Sequence, residues 1–139
     1  MEYPLLDTSV FSTYKKQIDA NFDSFHFSVV VFYELMASMI DESTMKKYEH
    51  WLTILHKADK LLIPTRTDWV IAAKSVRRMR HLKLIDKNLA PTALQNDALI
   101  ARSSLMHKCF VVTDNIRDYE LLQRVMPKLD VIPAKEFFS

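Results

Sequence analysis

Lys108-Cys109-Phe110-Val111-Val112-Thr113, followed at once by Asp114-Asn115, is the segment on which the fold turns. It is apolar on consecutive rather than alternating positions, which is the pattern of a strand buried on both faces inside a parallel sheet. It also ends at acids. Working outward, Tyr3 to Asp7 reads as a first strand and Phe25-His26-Phe27 as a second. Lys60-Leu61-Leu62-Ile63-Pro64 is a third, and Asp130-Val131-Ile132-Pro133 is an edge strand before a terminal turn.

Helical patterns fill the intervals. Thr8 or Ser9 caps a helix through about Ile18, and Ser28 caps another through about Ile40. Asp41-Glu42-Ser43-Thr44 starts a third, with Tyr48, Trp51, Leu52, Leu55 and Ala58 as its apolar stripe. Thr65 or Thr67 caps a fourth that turns Trp69, Ala73, Val76 and Met79 inward. Pro91-Thr92 opens a fifth, and Tyr119, Leu121 and Leu122 mark a short sixth. Strands that alternate with helices predict a three-layer α/β/α fold around a short, mostly parallel central sheet. The 139 residues make one domain, 1–139, with no internal repeat.

Composition removes several classes of function. There is no glycine, so the P-loop, the dinucleotide fingerprint and the nucleophile elbow are absent. Turns and helix ends must rely on Asn, Asp, Lys and Pro instead. One cysteine, Cys109, excludes an internal disulfide and reads as a core residue of a reduced protein. His26, His50, His56, His81 and His107 show no zinc spacing. Met1-Glu2-Tyr3-Pro4 lacks a basic start and an apolar core region, and no run reaches transmembrane length, so a cytoplasmic protein without a membrane is the expectation.

What remains is a set of misplaced acids. Asp97, in Asp97-Ala98-Leu99-Ile100-Ala101, lies at the edge of the stripe formed by Leu94, Ala98, Ala101 and Leu105, with no Lys or Arg on that edge within a turn. Asp7 closes the apolar run Pro4-Leu5-Leu6, and Glu34 interrupts the run from Val29 to Met36. Asp114, Asn115 and Asp118 follow the Cys109 strand. Burying carboxylates is costly without a partner, and a shared hard cation lowers that cost for all of them. Mg²⁺ or Mn²⁺ fits such oxygen ligands and serves phosphodiester hydrolysis. A glycosidase would use only two of the acids. The helix after Thr65 carries Lys74, Arg77, Arg78 and His81 on one face, either a solvated face or a track for a phosphate backbone.

Four segments, in order, resemble the PIN domains and most closely the VapC-type toxin ribonucleases. These are Leu5-Leu6-Asp7-Thr8-Ser9, Val31-Phe32-Tyr33-Glu34-Leu35, Asp97-Ala98-Leu99-Ile100-Ala101, and Val111-Val112-Thr113-Asp114-Asn115-Ile116-Arg117-Asp118-Tyr119. The resemblance implies a Mg²⁺- or Mn²⁺-dependent endoribonuclease with a PIN-like fold, an RNA substrate, homodimeric assembly and an antitoxin partner that inserts a peptide into the site. It also implies that Asp7, Glu34, Asp97 and Asp118 are catalytic and, with Asp114, hold metal. Thr8, Thr113 and Asn115 would position them, and Lys74, Arg77 and Arg78 would bind RNA. Asn115 stands where many members have an acid, with Asp114 and Asp118 flanking it, and the resemblance leaves open which of the three completes the metal site. The alternative is a catalytically inactive RNA- or protein-binding module of the same fold. A phosphatase acting on small substrates would leave the basic helix face without a purpose.

Overall fold

Short apolar runs between helices leave the backbone one economical solution, and the computed structural model, which describes residues 2–139, adopts it. Five strands form: β1 (Tyr3–Leu6), β2 (Phe27–Ser28), β3 (Leu61–Leu62), β4 (Cys109–Thr113) and β5 (Val131–Pro133). Every pairing is parallel. β1 lies beside β4 with Tyr3 opposite Cys109, β4 beside β5 with Val111 opposite Val131, and β2 beside β3 with Phe27 opposite Leu61. A parallel bridge between Leu5 and His26 joins the two groups, so the strands run in the order 3-2-1-4-5. In that order the chain reverses its direction of growth at β1 and β4. The carboxyl ends of these two strands therefore open a crevice, the usual ligand position of an open α/β sheet.

Seven helices cover the sheet: α1 (Lys15–Asn21), α2 (Val29–Ala37), α3 (Glu42–Lys57), α4 (Arg66–His81), α5 (Gln95–Met106), α6 (Ile116–Gln123) and α7 (Ala134–Phe137). The result is the three-layer α/β/α arrangement. Leu5, Leu6, Val111 and Val112 in the two central strands are fully buried, as strands covered on both faces must be. Ser28 caps α2 by accepting from the Val30 N–H, and Asp41 caps α3 by accepting from the Ser43 N–H. Thr65 and Asp68 form a reciprocal capping box at the start of α4.

The lack of glycine leaves a visible mark. Asp59, Lys83 and Lys108 take the left-handed conformation, with φ of 56°, 58° and 58°, just beyond α3, α4 and α5. Helices commonly end on glycine at this position. A residue with a Cβ costs roughly 1 kcal/mol there, offset in part where the Lys60 and Leu84 N–H groups reach back to the carbonyls of Leu55 and Met79.

Several local expectations are corrected. The helix expected from Thr8 to Ile18 is a 3-10 turn at Thr8–Val10 followed by the separate α1, because the Thr8 and Ser9 hydroxyls bond to acids instead of capping. α2 stops at Ala37, and Ala58 is exposed beyond α3. Trp69 is 48% exposed and Ala73 is also exposed. α4 instead buries Asp68, Ala72, Ser75, Val76 and Met79. The rotation has an electrostatic cause: Asp68 turns inward to accept from Arg102 Nε of α5 at 2.9 Å.

Candidate active site

Asp7 is the innermost group of the crevice. β1 delivers it directly after two fully buried leucines, and it is 3% exposed. No cation reaches it. Its Oδ2 accepts from Ser9 Oγ at 2.8 Å and from Thr113 Oγ1 at 2.9 Å, and its Oδ1 accepts from the Tyr119 hydroxyl at 3.1 Å. Three neutral donors thus replace water around a buried carboxylate. Thr113 sits at the end of β4 with its side chain fully buried, so the β1/β4 pairing itself sets the Thr113 to Asp7 contact.

Other segments bring further acids to the same place. A cleft of about 410 Å³ is bordered by Asp7, Glu34, Asp97 and Asp118, together with Thr8 and Asn115. Glu34 stands half-buried on α2, where its Oε1 accepts from Thr8 Oγ1 at 2.7 Å. Asn115 Nδ2 donates to Asp118 Oδ2 at 2.9 Å and lies 3.5 Å from Asp97 Oδ2. The Asn115 backbone N–H in turn donates to Thr113 Oγ1 at 2.8 Å, which orients the turn that carries the amide.

Asp97 shows what this crowding costs. Burial first, and then the charges of Asp7, Asp118 and Glu34, push its carboxyl up to about 7, against which the Tyr119 hydroxyl works only in part. Burial first, and then Asp7, Asp97 and Glu34, raise the Tyr119 phenol well above its ordinary range, so it stays protonated and can only donate to a neighbouring carboxylate. Among the described residues the ion pairs are Lys15–Asp19, Lys47–Asp19 and Arg102–Asp68, and none touches the cleft.

The expected site residues divide accordingly. Asp7, Thr8, Glu34, Asp97, Asn115 and Asp118 meet at the cleft, and Thr113 supports it from below. Asp114 does not join them. Its side chain is exposed, and it is the Asp114 backbone N–H that contributes, by donating to Ser9 Oγ at 2.9 Å. Of the two, Asp118 is the one that borders the cleft, where the first turn of α6 points it back toward Asn115. Lys74, Arg77 and Arg78 are exposed on α4 as expected. Arg77 borders a groove shared with Pro91 and Gln95, and the neighbouring Thr92, Ala93 and Asn96 border the acidic cleft.

Two functional hydroxyls escape a reading of the sequence alone. Ser9 and Tyr119 both bond to Asp7. The available signal was a serine two residues after the acid and a tyrosine next to Asp118 in an otherwise apolar helix stripe.

The acids offer hard oxygen donors, but each is turned toward a neutral partner. Among the described residues no group of three or more His, Cys, Asp and Glu side chains is placed to hold a metal ion. A site of this composition suits an ion that needs few direct protein ligands. Mg²⁺ is such an ion, being bound through one or two carboxylates while it keeps several waters and takes the rest from phosphate.

No protein-family model matches the chain, and no curated protein matches it. Solved structures do. FitAcB from Neisseria gonorrhoeae is 20% identical with a TM-score of 0.61, covering 93% of this chain and 96% of its own. VapBC-1 from nontypeable Haemophilus influenzae is 16% identical with a TM-score of 0.62, covering 95% and 98%. DNA-bound VapBC from Salmonella typhimurium is 14% identical with a TM-score of 0.60, covering 96% and 99%. At such identities these neighbours establish the α/β/α fold alone.

The identification of the chain as a PIN-domain, VapC-type toxin is corrected by the same comparisons. No family model carries it, and the structural neighbours are two-component complexes too distant in sequence to assign membership. Among the described residues no helix is long and apolar enough to cross a membrane.

Proposed function

We propose that the chain is a Mg²⁺- or Mn²⁺-dependent endoribonuclease working within a toxin–antitoxin system, with a protein partner that controls it. One observation carries the reading. Asp7, Glu34, Asp97 and Asp118, from four separate segments, border one cleft at the β1/β4 switch point, and among the described residues no cationic side chain pairs with them. Natural sequences do not retain such mutual repulsion for stability, whereas a hydrolytic site needs it.

One or two of these four acids would hold the ion directly, with the others facing its waters. When bound, a divalent ion supplies a water of lowered pKa and positive charge for phosphate oxygens. The chain's own groups do the rest. Ser9, Thr113 and Tyr119 fix Asp7, Thr8 fixes Glu34, and Asn115 fixes Asp118, so the carboxylates are held before substrate arrives. Lys74, Arg77 and Arg78 are exposed on α4, with Arg77 in a groove whose Pro91 and Gln95 adjoin residues of the cleft in sequence, and these phosphate-binding groups support RNA as the substrate.

The test is RNA hydrolysis by a nuclease-free preparation with and without Mn²⁺. Cleavage should require the metal and disappear in Asp7→Asn with the circular dichroism spectrum unchanged; cleavage retained by that variant rejects the reading. Reversing Arg77 and Arg78 to Glu should weaken RNA binding and lower its salt slope by roughly one to two, and unchanged affinity at low salt would move the RNA path elsewhere. One observation favours a second reading, a binding module without turnover: Asp7, Glu34 and Asp118 each accept from a neutral side-chain donor. Tight RNA or protein binding with no cleavage under any divalent ion would select it.

A further inference from the structure

At the opposite edge of the sheet, where the strands begin, lies a second cleft of about 370 Å³, of a size that suits a small ligand. Tyr3 of β1, His26 beside β2, Asp59 and Lys60 before β3, and His107 before β4 line it. Tyr3 and His107 lie one strand length, roughly 13 Å, from the carboxyl-end crevice. The two left-handed turns at Asp59 and Lys108 shape its walls, since each reverses a helix directly into a strand at this edge.

Its chemistry is the reverse of the acidic cleft. Lys60 brings a positive charge, and His26 and His107 two imidazoles, to one place, with Asp59 the one acid among the lining residues. The convergence registers on His26: after burial, the nearby Lys60 and His107 hold its imidazole below its ordinary value. Lys60 is anchored by a hydrogen bond from Nζ to the carbonyl of Asp23, which leaves further donors on a positioned ammonium. His26 Nδ1 is buried without a partner. Tyr3 stacks on the His26 ring, with centroids 4.9 Å apart and planes 28° from parallel, yet remains 44% exposed. A ring supported on one face and open on the other is a stacking platform for a base.

The geometry points to a nucleotide site in this cleft, where Tyr3 stacks the base and Lys60 with His107 receives the phosphate. The site is separate from the acidic cleft and uses none of its carboxylates. The same chemistry is presented by a free nucleoside monophosphate and by one nucleotide of an RNA strand.

The experiment is a titration of the full chain, in chelator, with AMP, adenosine, inorganic phosphate and pentaadenylate, followed by the imidazole NMR resonances of His26 and His107. AMP should shift both resonances saturably and bind at least about 10-fold more tightly than phosphate or adenosine alone, because stacking and charge act together. Tyr3→Leu should weaken AMP by roughly 10-fold, and His107→Gln, an exposed position, by several-fold with the circular dichroism spectrum unchanged. Pentaadenylate binding about 10-fold tighter than AMP identifies a strand as the source, and equal affinity identifies the free nucleotide. Absence of AMP-dependent shifts, equal binding of phosphate and AMP, or unaltered affinity in Tyr3→Leu overturns the proposal. RNA cleavage is read out separately, so failure here leaves the ribonuclease reading standing.

Discussion

Two acids on neighbouring helices, Asp68 of α4 and Asp97 of α5, meet the same problem and are given opposite answers. Asp68 is 4% exposed, and burial alone would raise its carboxyl. The Thr65 backbone N–H, the Arg102 guanidinium and the Thr65 hydroxyl outweigh that burial and hold it below the usual carboxylate range. Asp97 has no guanidinium; burial first, and then Asp7, Asp118 and Glu34, raise its carboxyl to about 7. The difference separates an acid that ties two helices together from one left among other carboxylates at the cleft. Burial raises both carboxyls; hydrogen bonds from Thr65 and Arg102 outweigh it at Asp68, whereas neighbouring carboxylates add to it at Asp97.

The comparison can be broken most decisively by activity. Asp97→Asn should lower metal-dependent RNA cleavage by about 10²- to 10³-fold, while Asp68→Asn leaves the chemistry intact and only weakens the fold. Equal losses of cleavage, measured on samples of equal folded fraction, would erase the distinction. Next in size is stability. Arg102→Met should cost about 3 kcal/mol in urea unfolding, because it strands Asp68 as a buried charge. No comparable cation exists beside Asp97 to remove.

The pH dependence sharpens the contrast. Asp97 has a folded pKa raised from 3.8 to about 7, so between these values the folded state binds the extra proton. Its contribution is fully present below about 4 and is lost as pH rises through about 7. In chelator, the urea midpoint of the wild type should therefore fall over that window relative to Asp97→Asn, and Mn²⁺ should restore it. Asp68 has a lowered folded pKa, so its stabilisation is present above its unfolded value and is lost as pH falls through the folded one. The smallest effect is expected from Tyr119→Phe. Loss of one neutral donor to Asp7 should cost about 1–2 kcal/mol and weaken Mn²⁺ binding by roughly 10-fold through a less well-fixed carboxylate; unchanged Mn²⁺ affinity would make the hydroxyl structural only.

Much of this was legible before folding. Asp7 at the end of β1, Asp97 at the rim of its stripe and Glu34 in an apolar run are oddities of pattern, and pattern is what a sequence displays. Asp68 was not legible as a buried acid, because Thr65 and Asp68 spell an ordinary capping box and Arg102 lies 34 positions away. The same pair misled the reading of α4. Trp69 has the stronger hydrophobic claim on the core, yet the Asp68–Arg102 bond rotates the helix so that Trp69 faces out. Asp114 and Asp118 were equivalent on paper, and only the turn held by Ser9 and Asn115 separates them.

The sequence by itself determined the alternation of strands and helices, the absence of every glycine-dependent phosphate loop, and the presence of acids where apolar residues were due. These follow from side-chain period and composition, which are local properties. The tertiary structure alone decided which acids share a cleft, that hydroxyls rather than cations surround Asp7, and that Asp68 is neutralised while Asp97 is not. Those outcomes depend on distances between segments far apart in the chain, and electrostatic energy is set by such distances and by burial, neither of which is written at any single position.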